Sequence, residues 1–264
     1  MSREEVDVQL LDRYLKLLDI DDLVQLGRDE IKGTLSGLFL PAASDAYLRS
    51  DVRIMLVGKE PRKWGRSLQT LGSGPLTSAV LHAYVRSQMD CHRATAGAAP
   101  KRSKFLQFHQ RLDATLGAHV QERNAVVWAN LLCVSLNEGS PRKAITGERI
   151  AHLSRQLLEA QLDVLAPDLI VFASGHGYDR YLKSLFNGVY QTQAGFVKKF
   201  YWPFTSGRFT AWRVAHPQSH TREQARKILD AVRVEVASRR ALRNNLHGLD
   251  QSSFSVVPLS MSGG

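Results

Sequence analysis

The sequence predicts an α/β protein: a three-layer α/β/α sandwich around a mostly parallel, four-stranded central sheet. Three observations predict it. Short apolar runs at residues 51–58, 125–134, 168–173 and 209–215 have the length and composition of buried strands. Between them lie amphipathic stretches with apolar residues three and four apart, the alternation that covers both faces of such a sheet. Each run ends in an unusual polar segment, and in open α/β sheets ligands gather at the carboxyl ends of strands.

In chain order, residues 4–32 read as helical, with Leu10, Leu11, Tyr14, Leu17 and Leu18 on one face. The first strand ends in Gly58 and runs into a loop rich in Gly, Lys and Arg. A helix is expected over about 76–89. Residues 90–104, small and basic with Gly and Pro, read as a flexible surface loop, either a solvated connection or a contact for a nucleic-acid backbone. A helix over 104–117 presents Phe105, Phe108, Leu112 and Leu116. The second strand ends at Val134. Its loop leads to a helix over 147–165, whose apolar stripe stops just before Pro167. The third strand enters Ser174-Gly175-His176-Gly177 and another helix. Residues 189–204 are aromatic and β-prone and suit an edge hairpin. The fourth strand ends in His216-Pro217-Gln218-Ser219-His220. Thr221 and Gln224 then have capping-box spacing for a last helix. Residues 1–45 read as a helical extension on the core, 46–243 as the main domain and 244–264 as a Ser/Gly-rich flexible tail.

Composition narrows the function classes. The chain of 264 residues has 44% apolar and 23% charged residues, ordinary for a globular protein. Its 35 Lys and Arg outnumber 25 Asp and Glu, a formal net charge of +10. Such a balance suits a polyanion, because each neutralised phosphate releases counterions; basic proteins without a nucleic-acid partner share it. Two cysteines, Cys91 and Cys133, can form neither a cysteine-only zinc site nor a cluster held by four thiolates, and a disulfide framework is not expected. The N-terminus lacks the pattern of a signal peptide, and no apolar stretch reaches membrane-spanning length. A monomer in a reducing cytoplasm, with no metal, no cofactor and no membrane association, is the expectation. The arginines of the last helix interleave with Glu223, Asp230 and Glu235, which suits a solvated face.

The strand ends carry the candidate chemistry. The first reads Leu56-Val57-Gly58-Lys59-Glu60-Pro61, the second Val127-Trp128-Ala129-Asn130, and the fourth Val214-Ala215-His216-Pro217-Gln218-Ser219. Together, in this order and over roughly residues 50–235, they resemble the motifs of the uracil-DNA glycosylase superfamily. The resemblance implies a uracil-DNA glycosylase-like fold. It also implies a monofunctional glycosylase that flips a nucleotide out of DNA and hydrolyses its N-glycosidic bond. It implies that Glu60 offsets the oxocarbenium-like sugar and orients water, where the uracil enzymes carry Asp. His216, as a neutral imidazole, would meet the charge on the leaving base. Asn130 would read the base edge with its amide. Gly58 and Lys59 would line the base site. Pro61, Ser174, Gly175, Pro217, Gln218 and Ser219 would approach the DNA, and His220 or Gln218 would fill the gap left by the flipped base. Each residue also has a plainer reading: Glu60 as a loop acid paired with Lys59, Arg62 or Lys63, His216 and Asn130 as strand-end groups bonded to backbone.

Departures from the family pattern bear on substrate. Arg62 follows Pro61 where an aromatic excludes 5-substituted pyrimidines in the uracil enzymes, and Trp64 is the nearest candidate to stack on a base. Set against the resemblance, these departures imply a roomier, more polar pocket. The expected target is a hydroxymethylated or glucosylated cytosine of phage DNA, in antiviral defence, with uracil repair as the alternative. A catalytically silent DNA-binding module and a hydrolase of free nucleosides or nucleotides are the competing classes.

Overall fold

A computed structural model describes residues 1–73, 77–97, 103–116 and 124–252. Its centre is a sheet of six strands. Strand β1 (Ile54–Gly58) lies between β2 (Val126–Asn130) and β3 (Leu169–Phe172), and β6 (Phe209–Val214) follows β3; all these pairs are parallel. Strands β4 (Gln191–Thr192) and β5 (Tyr201–Ser206) continue the sheet antiparallel beyond β6, giving the order β2-β1-β3-β6-β5-β4. The sheet is therefore mixed and six-stranded, not the mostly parallel four-stranded sheet that the sequence predicts. The reason is the aromatic segment after residue 189. It folds back as a hairpin that pairs the backbone of β6, whose edge would otherwise be open.

Helices cover both faces. One face packs Met55, Val57, Ile170 and Phe172 against α1 (Arg3–Leu17), α2 (Ile20–Asp29), α4 (Ser78–Gly97), α6 (Gly147–Leu165) and α7 (Asp179–Leu185). The other packs Ile54, Leu56, Val171 and Val214 against α5 (Lys104–Asp113) and α8 (Arg222–Ser252). Burial of alternate side chains on opposite faces follows from the period-two geometry of a strand. Short α3 (Asp45–Arg49) precedes β1.

Several boundaries differ from the sequence reading, for local reasons. Residues 4–32 form two helices because the Asp19 side chain accepts a hydrogen bond from the Asp22 backbone N–H at 3.0 Å and starts a new helix. Residues 90–97 are helical, not a loop. Buried His92 bonds the Ala42 N–H and the Trp128 carbonyl, and Arg93 pairs with Asp7 and Asp90. Residues 98–102 of that expected loop lie outside the described residues. Helix α8 continues to Ser252, past the expected start of the tail, and residues 253–264 lie outside the description. By contrast α6 stops where expected: Ala166 turns left-handed (φ 44°) before Pro167. The reciprocal bonds between Thr221 and Gln224 form as their spacing requires. Lys227, Arg233, Arg239, Arg240 and Arg243 pair with carboxylates. Among the described residues, no helix is long and apolar enough to cross a membrane.

Candidate active site

Parallel strands β1, β2, β3 and β6 deliver their carboxyl ends to one rim, so Glu60, Asn130, Ser174 and His216 are gathered there by topology. Gly58 and Asn130 are register partners. A methyl group at Gly58 would lie 2.4 Å from Asn130 Oδ1 and 3.1 Å from the Phe105 ring. Glycine at this position is what lets the amide and the ring converge. Asn130 is 7% exposed. Its Oδ1 accepts from Trp128 Nε1 at 3.3 Å, which fixes the amide so that Nδ2, buried and without a partner, is the group on offer.

Glu60 is half-buried beyond β1. The Tyr178 hydroxyl donates to its Oε2, and Ser140 Oγ lies 2.9 Å from the same hydroxyl. A phenol has one proton, so the serine hydroxyl is the donor in the second bond. Arg142 caps this group: its guanidinium lies 4.5 Å from the centre of the Tyr178 ring and donates to the Gly177 carbonyl at 3.0 Å. Lys59 Nζ approaches the same ring at 5.6 Å. Burial raises the Glu60 pKa above the ordinary carboxylate value, opposed by the Tyr178 hydrogen bond and by Lys59, Arg142 and Arg62. Burial lowers the pKa of Lys59, with Glu60 acting the other way.

His216 leaves β6 and begins the short turn Pro217–Ser219. Its Nδ1 accepts from the Gln218 N–H at 3.3 Å, which places the ring proton on Nε2. Burial, then Lys59, His220 and Arg62, hold the imidazole pKa down to about 3. The ring is thus neutral and presents an N–H donor, stacked beside Phe105 at 6.2 Å. Lys59 and Arg62 act electrostatically on both Glu60 and His216.

Other predicted residues are placed differently. Trp64 is 6% exposed and packs with Phe39 and Trp128, at 4.5 Å between the Phe39 and Trp64 rings, as part of the core. It is no free stacking platform, and Phe105 occupies the place beside His216 and Asn130. His220 is turned inward: Nε2 bonds the Ala215 carbonyl, and Phe108 and Phe200 pack against its ring. It cannot fill a gap in DNA without leaving this packing. Pro61, Pro217 and Ser174 are buried, so they shape the rim from beneath; the Ser174 hydroxyl has no partner. Gly175 holds φ +72°, and a Cβ there would approach the His216 N–H. Arg62, Gln218 and Ser219 are exposed.

The residues that sequence reasoning missed are Tyr178, Ser140, Arg142 and Phe105. Each follows or faces a strand end, which is the signal that points to them; Phe105 was hidden by its place in an apolar helix stripe. Among the described residues no cluster of three His, Cys, Asp or Glu side chains suits a metal ion. No protein-family model and no curated protein matches the chain.

Proposed function

We propose that this protein is a DNA glycosylase with a uracil-DNA glycosylase-like fold, which flips a pyrimidine nucleotide and hydrolyses its N-glycosidic bond. The observation that carries the reading is the pairing, at one rim, of the Glu60 carboxylate with an imidazole kept neutral and donating, His216. Hydrolysis needs both. As the C1′–N1 bond breaks, the base takes the electron pair and the sugar becomes electron-poor. Glu60 offsets that positive charge, orients the water whose oxygen bonds C1′ and takes the proton that this water gives up. The Nε2–H of His216 meets the charge on the base oxygen. Asn130 Nδ2, desolvated and unpartnered, supplies the donor that reads the base edge. Lys59, Arg62 and Arg142 favour an anionic substrate and an anionic leaving group.

The target proposed is a 5-substituted cytosine, hydroxymethylated or glucosylated, and the role is antiviral restriction. Its support is Arg62, exposed where an aromatic wall would exclude such groups. The test uses matched duplexes carrying uracil, 5-hydroxymethylcytosine or its glucosylated form, treated with alkali after incubation, with Glu60→Gln as control. Cleavage at the modified cytosine, lost about 100-fold or more in Glu60→Gln while DNA binding persists, is expected. Cleavage at uracil alone would assign the protein to repair. Salt-sensitive DNA binding without any cleavage would make it a binding module.

A further inference from the structure

Lys59 stands at the rim beside the groups assigned to the glycosidic bond, and hydrolysis gives its amine no covalent task. It leaves β1 directly after Gly58 and precedes Glu60. Its backbone is fixed on both sides. The Gly58 carbonyl accepts from the Leu131 N–H at 3.0 Å and the Lys59 carbonyl from the Leu132 N–H at 2.8 Å, so the chain leaving β2 clamps the root of the side chain. The side chain is half-buried. Its Nζ lies 5.6 Å from the centre of the Tyr178 ring, whose hydroxyl donates to Glu60.

Two properties suit this amine to act as a nucleophile. Lys16, Lys63 and Lys227 hold carboxylates at 2.7, 3.9 and 2.8 Å, whereas Lys59 forms no close ion pair among the described residues, although Glu60 is its neighbour in the chain. Burial also lowers its pKa; Glu60 opposes this, and Arg142 and Arg62 add to it. A partly desolvated amine beside fixed cations is how a lysine becomes reactive toward a carbonyl carbon. In the reading above, Glu60 serves the sugar and His216 the base, the two groups that share the C1′–N1 bond, and Lys59 acts electrostatically on both residues. Once the base has gone, C1′ is an aldehyde carbon in the open form of the abasic sugar.

We propose that Lys59 forms an imine with the abasic sugar and that the protein then cuts the strand by β-elimination, a second activity beyond the monofunctional one that the sequence resemblance implies. It rests on the glycosylase reading for the place of the sugar at this rim. The amine lone pair bonds C1′ of the open-chain aldehyde, and the aldehyde oxygen leaves as water with the two amine protons. Glu60, after returning its earlier proton to solvent, takes a proton from C2′. The electron pair of that C–H bond becomes the C2′=C3′ double bond. The C3′–O bond breaks, and its pair leaves with the phosphate that then ends the downstream strand. Water hydrolyses the imine, which restores the lysine and releases an unsaturated aldehyde on the upstream strand. No oxidant or reductant is consumed.

The experiment supplies a duplex with a preformed abasic site, so that no base release is needed, and reduces any imine with sodium cyanoborohydride. A covalent protein–DNA adduct is expected, mapped by mass spectrometry to Lys59 in the wild-type protein. Without the reductant, strand scission should exceed the protein-free rate with no alkali added. Lys59→Arg keeps the charge but offers no amine to the aldehyde. It should lose adduct and scission tenfold or more with an unchanged melting temperature, whereas Lys63→Arg should lose neither. No adduct, an adduct carried by other lysines, or scission that survives Lys59→Arg would overturn the proposal. The two readings fail separately. An adduct at Lys59 in a protein that releases no base from the uracil or modified-cytosine duplexes would keep the lyase and sink the glycosylase. Base release with no adduct would do the reverse.

Discussion

Replacing Tyr178 by Phe removes one oxygen and leaves a ring that is 3% exposed in its packing. The lost oxygen donates to Glu60, and a donor to the ionised form holds a carboxyl pKa down. Without it, burial acts with less opposition and the pKa rises. A hydrogen bond to a charged group contributes about 1.5–3 kcal/mol. Its loss therefore moves the Glu60 ionisation upward. In the wild type the acid limb of kcat/KM should come from Glu60 and lie above the ordinary carboxylate range. His216, neutral above about 3, adds no limb near neutrality. The assay is the pH dependence of base release, read by alkaline strand scission. Tyr178→Phe should be impaired most at mildly acidic pH and recover as pH rises. An acid limb that stays in place, or moves down, would refute the assignment of Tyr178 as the residue positioning Glu60; uniform loss at every pH would mark a structural effect instead.

Three further outcomes are expected. Gly58→Ala should destabilise by about 1–3 kcal/mol in urea unfolding, because its Cβ would meet Asn130 Oδ1 at 2.4 Å, and should reduce base release more than it reduces DNA affinity. His216 has a folded-state pKa depressed from 6.5 to about 3, so the unfolded chain takes up a proton that the folded one refuses; stability is lost as pH falls through that window, and thermal melts of His216→Gln should decline less steeply between pH 6.5 and 4. Asp179→Asn should cost about 3–5 kcal/mol in urea unfolding, because it strips from a fully buried Arg213 the one carboxylate that pairs with it among the described residues.

The periodic parts of the fold were legible because they obey one local rule each. Helix α6 is bounded by residues 147 and 165 in both readings, since its apolar stripe, left-handed Ala166 and Pro167 agree. The central strands were legible as continuous apolar runs, within a few residues at each end. The antiparallel hairpin was harder, because pairing beyond β6 is a long-range choice that its aromatic composition only suggests. In the site, Gly58, Glu60, Asn130 and His216 could be read from strand ends. Tyr178 also follows a strand end, but its partnership with Glu60 could not be read, because the bond spans 118 residues of sequence. Trp64 and His220 went astray for one reason: an aromatic or imidazole near a motif can face the rim or the core, and sequence spacing in a loop does not say which.

The electrostatics of the rim have a logic that single residues do not show. Burial pushes Glu60 and His216 in opposite directions, one toward its proton and the other away. Both shifts favour neutral forms, and left alone they would disarm the carboxylate. Lys59, Arg62 and Arg142 break the symmetry, since nearby cations stabilise the Glu60 anion, while Lys59 and Arg62 also disfavour imidazolium. Around neutral pH the arrangement therefore keeps His216 neutral, while the three cations oppose the effect of burial on Glu60; under the proposed glycosylase reading, an ionised carboxylate beside a neutral imidazole is the pair that base release would use. The same cations would draw a phosphate backbone toward the rim. Substitution of Arg142 should thus act on two steps at once, and its effect on base release at acidic pH should exceed its effect at alkaline pH, where Glu60 is ionised without help.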